Sequence, residues 1–468
     1  MNVFLSFISD FFQQPSILIG LIALIGLLLQ RKTASETIQG TIKTFAGFLV
    51  LSAGAGVLVS ALTPFTAMFQ HIFNVKGVVP TNEGVVALSL VKYGSTTALI
   101  MLVGMVVNVL LARFTRFKYI FLTGQAMLYM SSLAAIVLAT AGFGQSWMTI
   151  LLGGLFEGTI FTVTPALTQP FMRKITGTDA VAMGHTGNIG YAVSGAMGKV
   201  WGNKDAKEKS TENLNVPKSL TFLRDSTVSI VIIMAVIYVV LALISGPTFV
   251  ESKTLSGGTN YIIYALVQAG TFAAGFVIVL QGVRMILAEI VPAFQGIAQK
   301  LVPNSKPALD VPIIFPYAPN ALIIGFFVSF VVSALSMGAM ILLHTTIIIP
   351  GVVGCFFCGG AAAIYGNAFG GRRGAILGSA LNGLFFAWLP LFFLPSAGAF
   401  QAGAGATFAD TDYLIPGIIM GQASKAGLWL VVTIIVLFFL MVVGSSVVLN
   451  ARDRARGVHD VAGASAQR

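Results

Sequence analysis

Apolar runs of about twenty residues, the length that crosses the hydrocarbon core of a bilayer, recur along the whole chain. They fall at 16–30, 44–63, 86–112, 119–141, 147–165, 226–246, 261–288, 319–343, 347–368, 374–397 and 427–449. Lipid offers no hydrogen-bond partners, so each run must satisfy its own backbone as a helix. The expected fold is therefore an all-α integral membrane protein with about eleven transmembrane helices. Only 9% of the 468 residues are charged, against about 25% in soluble proteins, so most of the surface must face something other than water. The 51 glycines suit close helix packing where lipid supplies no hydrophobic drive.

Charge sets the topology. Arg31 and Lys32, Arg113 to Lys118, Arg173 and Lys174, Lys300 and Lys306, Arg372 and Arg373, and Arg452 to Arg456 each follow a span. With the N-terminus outside, every one of these clusters reaches the cytoplasm, as the positive-inside rule requires. The opposite loops, including 64–85 and 398–426, are poor in Lys and Arg. The scheme holds only if 177–198 does not cross. That Gly-rich stretch, TDAVAMGHTGNIGYAVSGAMG, reads as a re-entrant hairpin or broken helix, which survives at membrane depth when buried in protein or wetted. The net charge of +11 is thus spent on short loops, and no nucleic-acid surface is expected. No basic segment precedes the first run, so no secretory signal is expected either.

The hydrophilic stretch 199–225 separates two halves that look alike. GFLVLSAGAGVLVSALTP from Gly47 to Pro64 matches GFVIVLQGVRMILAEIVP from Gly275 to Pro292 at one constant offset, with Gly54 opposite Gly282. A fainter echo sets Met183-Gly184-His185 beside Met420-Gly421-Gln422. The expected organisation is a first inverted-repeat half (1–198), a basic cytoplasmic loop (199–225), a second half with the last helix (226–450) and a cytoplasmic tail (451–468). Carriers built this way bind near the midplane, beside broken helices.

Ionisable groups at membrane depth cost at least about 2.5–3.5 kcal/mol on insertion scales, so each is a functional candidate. His185 sits in the re-entrant stretch. Asp310, in ALDVPIIFPYAPNA, lies among prolines that forbid regular helix and either accepts from sugar hydroxyls or serves as a structural cap, as His185 either contacts substrate or is a hydrogen-bonded structural group. Gln125 and Tyr129 stand one helical turn apart and either share a ligand or join helices. Asn82 and Glu83 precede the third span, as ligand contacts or a solvated loop pair. Arg284 and Glu289 are either a structural ion pair or substrate groups. Glu157 and Lys92 are further ionisable groups near spans. Cys355 and Cys358 form a CxxC inside an apolar run and read as small buried residues rather than a redox or metal pair. No phosphate-binding loop, nucleophile elbow or zinc-protease motif occurs, and no cofactor is called for.

The segments GTIKTFAGFLVLSAGAG (40–56), QGVRMILAEIVPAFQGIAQKLVPNSKPALD (281–310), FPYAPNALIIGF (315–326) and IIIPGVVGCFFCGGAAAIYGNAFGGRRGA (347–375) resemble the ascorbate-type EIIC family, the membrane subunits of sugar phosphotransferase systems. The resemblance implies a homodimer in a bacterial inner membrane. It also implies a sugar carried to the cytoplasmic side and phosphorylated there by a separate EIIB, itself charged through EIIA from phosphoenolpyruvate. It carries substrate contacts over to Gly54, His185 and Asp310. At Asn82, Glu83, Gln125, Tyr129 and Thr186 this chain bears other side chains than ascorbate transporters do, so the hydroxyl pattern it satisfies differs. The expected function is an EIIC permease for L-ascorbate or a related sugar acid or polyol. The alternative is an ion-coupled secondary transporter of a small polar solute.

Overall fold

The computed structural model describes residues 15–74, 77–214 and 226–455. Helices dominate, and among the described residues eight are long and apolar enough to cross a membrane. In chain order the elements are α1 (Pro15–Leu29), α2 (Ala34–Phe73), β1 (Gly77–Pro80), α3 (Asn82–Phe114), β2 (Tyr119–Phe121), α4 (Gly124–Leu138), α5 (Trp147–Thr176), β3 (Ala182–Met183) and α6 (Asn188–Trp201). They continue with α7 (Ser226–Ser245), α8 (Tyr261–Leu301), β4 (Lys306–Leu309), a 3₁₀ segment (Val311–Tyr317), α9 (Pro319–Leu342), β5 (Ile347–Ile348), α10 (Gly360–Ala404), β6 (Ala406–Thr407), α11 (Thr411–Ala426) and α12 (Leu428–Ala455). Each of the eleven apolar runs expected from the sequence falls on one of these helices. The two runs at 347–368 and 374–397 share α10.

Helix α10 cannot be straight, since its 45 residues would span about 68 Å at 1.5 Å per residue. It turns back at Gly371, whose φ of 56° is left-handed and free of penalty only for glycine. Gly366 and Gly374 consequently face each other across the turn, so near that a Cβ on either would strike the other's backbone. The end of α6 packs into the same place through Gly198 and Gly202. The long helices α2 and α8 cross in similar fashion. A Cβ on Gly47 would lie 3.0 Å from the Gly282 carbonyl, and one on Gly275 would lie 2.8 Å from the Leu58 nitrogen. Such close approach is how helices gain contact energy in lipid.

Among the described residues, six short strands form two parallel three-stranded sheets, ordered β5-β1-β6 and β2-β4-β3. In the first, Gly77 pairs with Ile347 and Val79 with Ala406. In the second, Tyr119 pairs with Lys306 and Ala182 with Ala308. Each sheet takes its middle strand from one half of the chain and both edges from the other half.

Several sequence expectations change here. The stretches 64–85 and 398–426 are not outer loops. Residues 64–73 complete α2, 77–80 form a buried strand, and 406–426 hold β6 and α11. Lys and Arg counts report the side of the membrane and not depth, so short segments that dip in and return look like loops. The broken reading of 177–198 fits the observed order of strand, turn and helix. At 14 residues, α6 covers about 21 Å, too little to cross. The echo between Met183 and Met420 does not correspond in space, because Met420 lies within α11 whereas Met183 ends β3. Of the hydrophilic stretch 199–225, the start belongs to α6 and residues 215–225 lie outside the described residues. Between them Glu212 accepts hydrogen bonds from Asn320 N (3.1 Å) and Ala321 N (3.0 Å), capping α9. Residues 1–14 and the tail 456–468 also lie outside the described residues.

At the end of α5, Asp179 bridges Arg173 (3.1 Å) and Lys306 (2.5 Å), fastening that helix to β4. Partial burial pushes the Asp179 carboxyl up, but hydrogen bonds from Lys306 and Gln169 and the charges of Lys306 and Arg173 outweigh it, and the net direction is below the ordinary aspartate value.

Candidate functional site

All six strands stop at one place. Each is followed within a few residues by side chains that line a central cavity of about 270 Å³. β1 delivers Thr81, Asn82 and Glu83. β2 leads into Gln125 and Tyr129 on α4, β3 into His185 and Thr186, and β4 into Asp310. β5 leads to Val353, Phe357 and Cys358, β6 to Asp410 and Tyr413, while α8 contributes Phe276 and Arg284. A strand that ends and a helix that begins leave backbone N–H groups without intrahelical partners. The chain breaks thereby concentrate polar groups inside an otherwise apolar molecule.

Much of the polar capacity is already matched. Asp310 accepts from Gln125 Nε2 at 2.6 Å and from Val311 N at 2.8 Å. Thr186 Oγ1 donates to Asp410 Oδ2 at 2.6 Å, and the Cys358 thiol lies 3.5 Å from Asp410 Oδ1. Ala409 N donates to Asn82 Oδ1 at 2.9 Å. His185 Nδ1 receives Gly187 N–H at 3.2 Å and sits 2.8 Å from the Tyr191 hydroxyl, which leaves its other ring nitrogen as the donor. Asp412 lies behind the cavity and caps α6 through Asn188 N (3.1 Å) and Ile189 N (2.8 Å). The Tyr129 hydroxyl is buried without a partner, and an unmatched buried hydroxyl costs about 1–3 kcal/mol.

Seven of the eight residues singled out from the sequence, Asn82, Glu83, Gln125, Tyr129, His185, Thr186 and Asp310, line this one cavity. Gly54 does not. It belongs to the crossing of α2 with α8, where a Cβ would lie 2.6 Å from Val279 N. Glu83 is only 9% exposed, so it is not a solvated loop residue. Arg284 lines the cavity, while the Glu289 carboxylate lies against Gly40 on α2. Five residues along a helix is about 140° of rotation, which sends the two side chains to different neighbours. Glu157 is fully buried elsewhere, accepting from Ser131 Oγ at 2.8 Å. Lys92 lies 5.2 Å from the Tyr93 ring.

Sequence reasoning missed Asp410, Thr81 and Tyr413, and it gave Cys358 no place at the site. A readable signal existed in FADTDYLIP, where two carboxylates stand in an apolar stretch at the start of a helix, as Asp310 does in ALDVPIIFP. His185, Cys358 and Asp410 have ligand-type atoms within 4.8 Å of one another. The Nδ1 lone pair already holds two hydrogen bonds, however, so the trio is explained without an ion.

A polytopic membrane protein with a small, partly polar chamber at the meeting of broken helices has the build of a solute permease. Residues 10–412 match the EIIC-GAT family, the sugar-specific permease component of PTS systems, and the chain belongs to that family. It is 27% identical over 429 residues to the "Ascorbate-specific PTS system EIIC component" of Mycoplasma pneumoniae, a match covering 79% of this chain and 63% of that protein. The match thus spans less than two thirds of that relative's length.

Proposed function

We propose that this protein is the EIIC permease of a phosphoenolpyruvate-dependent sugar phosphotransferase system. It would take up L-ascorbate or a related sugar acid or polyol and deliver it for phosphorylation by a separate EIIB, with EIIA upstream. The observation that carries the reading is the convergence of six strand ends on one chamber holding Asn82, Glu83, Gln125, Tyr129, His185, Thr186 and Asp310. These groups are the proposed substrate contacts. Carboxylates and amides accept and donate to hydroxyls, while Phe276 and Phe357 offer apolar faces to a carbon skeleton.

The membrane is proposed to be a bacterial inner membrane, with the N-terminus outside and the C-terminus cytoplasmic, on the strength of the basic clusters. The halves 1–198 and 226–450 are proposed to be inverted repeats. The exchange of middle and edge strands between the two sheets supports this. A homodimer is proposed from the family resemblance.

The test is uptake by right-side-out vesicles loaded with the phosphotransfer proteins. Sugar phosphate should appear only with phosphoenolpyruvate, and a His185→Ala variant should lose it. Uptake of free solute driven by a proton gradient would replace this reading with the ion-coupled carrier. The three carboxylates of the cavity are the observation that favours that second reading.

A further inference from the structure

A second cavity, of about 440 Å³, opens where three spanning helices come together on the face that carries the basic clusters. It is bounded by the end of α5 at Lys174 and Ile175, the entry to α9 at Tyr317 and Ala318, and α10 at Ile364 and Asn367. It shares no lining residue with the chamber. Its remaining wall comes from residues 206–213, including Lys207. That stretch is fastened to the turn of α10. Asn203 N donates to Gly370 O at 2.8 Å, Arg372 N to Lys209 O at 2.8 Å, Arg372 Nε to Ser210 O at 3.3 Å, and Thr211 N to Asn367 Oδ1 at 2.9 Å. Charges that only mark one side of a membrane need no such anchoring.

The neutral polar groups of this cavity are matched to one another. Asn367 Nδ2 donates to Ser210 Oγ at 3.1 Å, and Asn213 Nδ2 to Glu208 O at 2.8 Å. Glu212, the single lining carboxylate, accepts from Asn320 N, Ala321 N and the Thr211 hydroxyl. What is left are the ammonium groups of Lys174 and Lys207 and the hydroxyl of Tyr317, which is 49% exposed. Among the described residues neither lysine is in an ion pair. Lys174 lies 4.1 Å from the Phe369 ring centre. Asp205 and Glu208 belong to the same loop but do not line the cavity, and Lys204 and Lys209 offset them. The open capacity is therefore cationic donors without a counter-ion.

We propose that this cavity binds the phosphodiester headgroup of an anionic lipid in the cytoplasmic leaflet, with Lys174 and Lys207 as its charge partners and Tyr317 as a further donor. The inference rests on the orientation given by the basic clusters and not on what the chamber carries. A basic pocket between the cytoplasmic ends of spanning helices meets anionic headgroups at their own depth. That depth is marked here by Tyr317 and by Trp201, 57% exposed at the end of α6, since Trp and Tyr favour the membrane–water interface. The lysines carry their charge on long apolar stems that suit such a boundary. The walls at Ile175 and Ile364 can face a glycerol backbone, whereas a free phosphate ion gains nothing from them. The size agrees: about 440 Å³ equals roughly fifteen water volumes at ~30 Å³ each, more than a phosphate group alone fills.

The experiment is native mass spectrometry of the purified full-length protein in detergent, titrated with phosphatidylglycerol and, as the neutral control, phosphatidylcholine. With about a fivefold preference from each lysine, the parent should bind phosphatidylglycerol about twentyfold more tightly. Lys174→Gln and Lys207→Gln should each lose about fivefold, and the double variant nearly the whole preference. Lys174→Arg should keep it. Both positions are exposed, so these variants should fold as the parent does. Lys199→Gln with Lys204→Gln, in the same basic stretch but outside the lining, should stay within about twofold of the parent, their charges being screened by salt. No preference in the parent, an unchanged double variant, or an equal loss in the Lys199 and Lys204 variant each overturns the proposal. Displacement of the lipid by an excess of inorganic phosphate would make this a free-anion site and overturn it as well. So would a double variant that loses phosphotransfer in vesicles of phosphatidylcholine alone, because the surface would then belong to a partner protein.

Discussion

Replacing Thr186 by Val should weaken the fold by about 1.5–3 kcal/mol, and the loss should vanish when Asp410 is also removed. Valine keeps the branching and nearly the volume of threonine, so little packing is disturbed. What goes is the hydroxyl that donates at 2.6 Å to Asp410 Oδ2. Asp410 is 3% exposed, and its other oxygen has only the Cys358 thiol at 3.5 Å, so water does not readily replace the donor. Hydrogen bonds to a charged acceptor are worth about 1.5–3 kcal/mol, and stripping the donor leaves a buried acceptor under-satisfied. The backbone bond from Asp412 N to Thr186 O, at 2.9 Å, involves no side-chain atom of Thr186 and should survive. A double-mutant cycle of Thr186→Val with Asp410→Ala, read by equilibrium unfolding in mixed micelles, isolates the pairwise coupling. Thr186→Ser should retain most of it. A coupling below about 0.5 kcal/mol, or a Thr186→Val protein as stable as the parent, would refute the reasoning.

Gly374→Leu should prevent α10 from folding back, because its Cβ would collide with the backbone at Gly366; a loss of about 3 kcal/mol or more, or failure to accumulate in the membrane, is expected by thermal denaturation and expression. For Asp179 the carboxyl is depressed, so its stabilisation is fully present above the ordinary aspartate value and fades as pH falls through the lowered one. Thermal midpoints of parent and Asp179→Asn should therefore differ at pH 7 and converge in acid. The gap should be under about 1 kcal/mol, since the side chain is half exposed and screened by salt. Cys358 lines the cavity while Cys355 is fully buried away from it, so a methanethiosulfonate reagent should label Cys358 first. Bound substrate should slow that labelling, followed by mass spectrometry.

The membrane-spanning frame was legible because a helix in lipid must advertise itself as a long apolar run. His185 and Asp310 were legible because a charge or imidazole in such company needs a reason. Asp410 was not, since the stretch around it is poor in Lys and Arg and has the look of an outer loop. Counting basic residues assigns a side and says nothing about how deep a segment dips. The strands were invisible for another reason. Two to four residues, as in Ala182–Met183 or Gly77–Pro80, are too short for alternation to register. What makes them strands is a partner far along the chain, Ala308 for Ala182 and Ile347 for Gly77. Gly54 is the converse case: a glycine conspicuous in the sequence lies at the helix crossing against Val279 and is not among the residues that line the cavity.

The interleaving of strands also governs the order in which the molecule can be completed during synthesis. While the first half emerges from the ribosome, β1 has no neighbour on either side. Its backbone groups wait until residues 347 and 406 have been made and inserted. Neither half owns a finished chamber, so a prematurely truncated chain would leave strand edges bare at membrane depth, a lesion that quality-control proteases are equipped to detect. The same wiring means that two fragments divided in the hydrophilic stretch after Leu214 should find each other and rebuild the chamber when produced together.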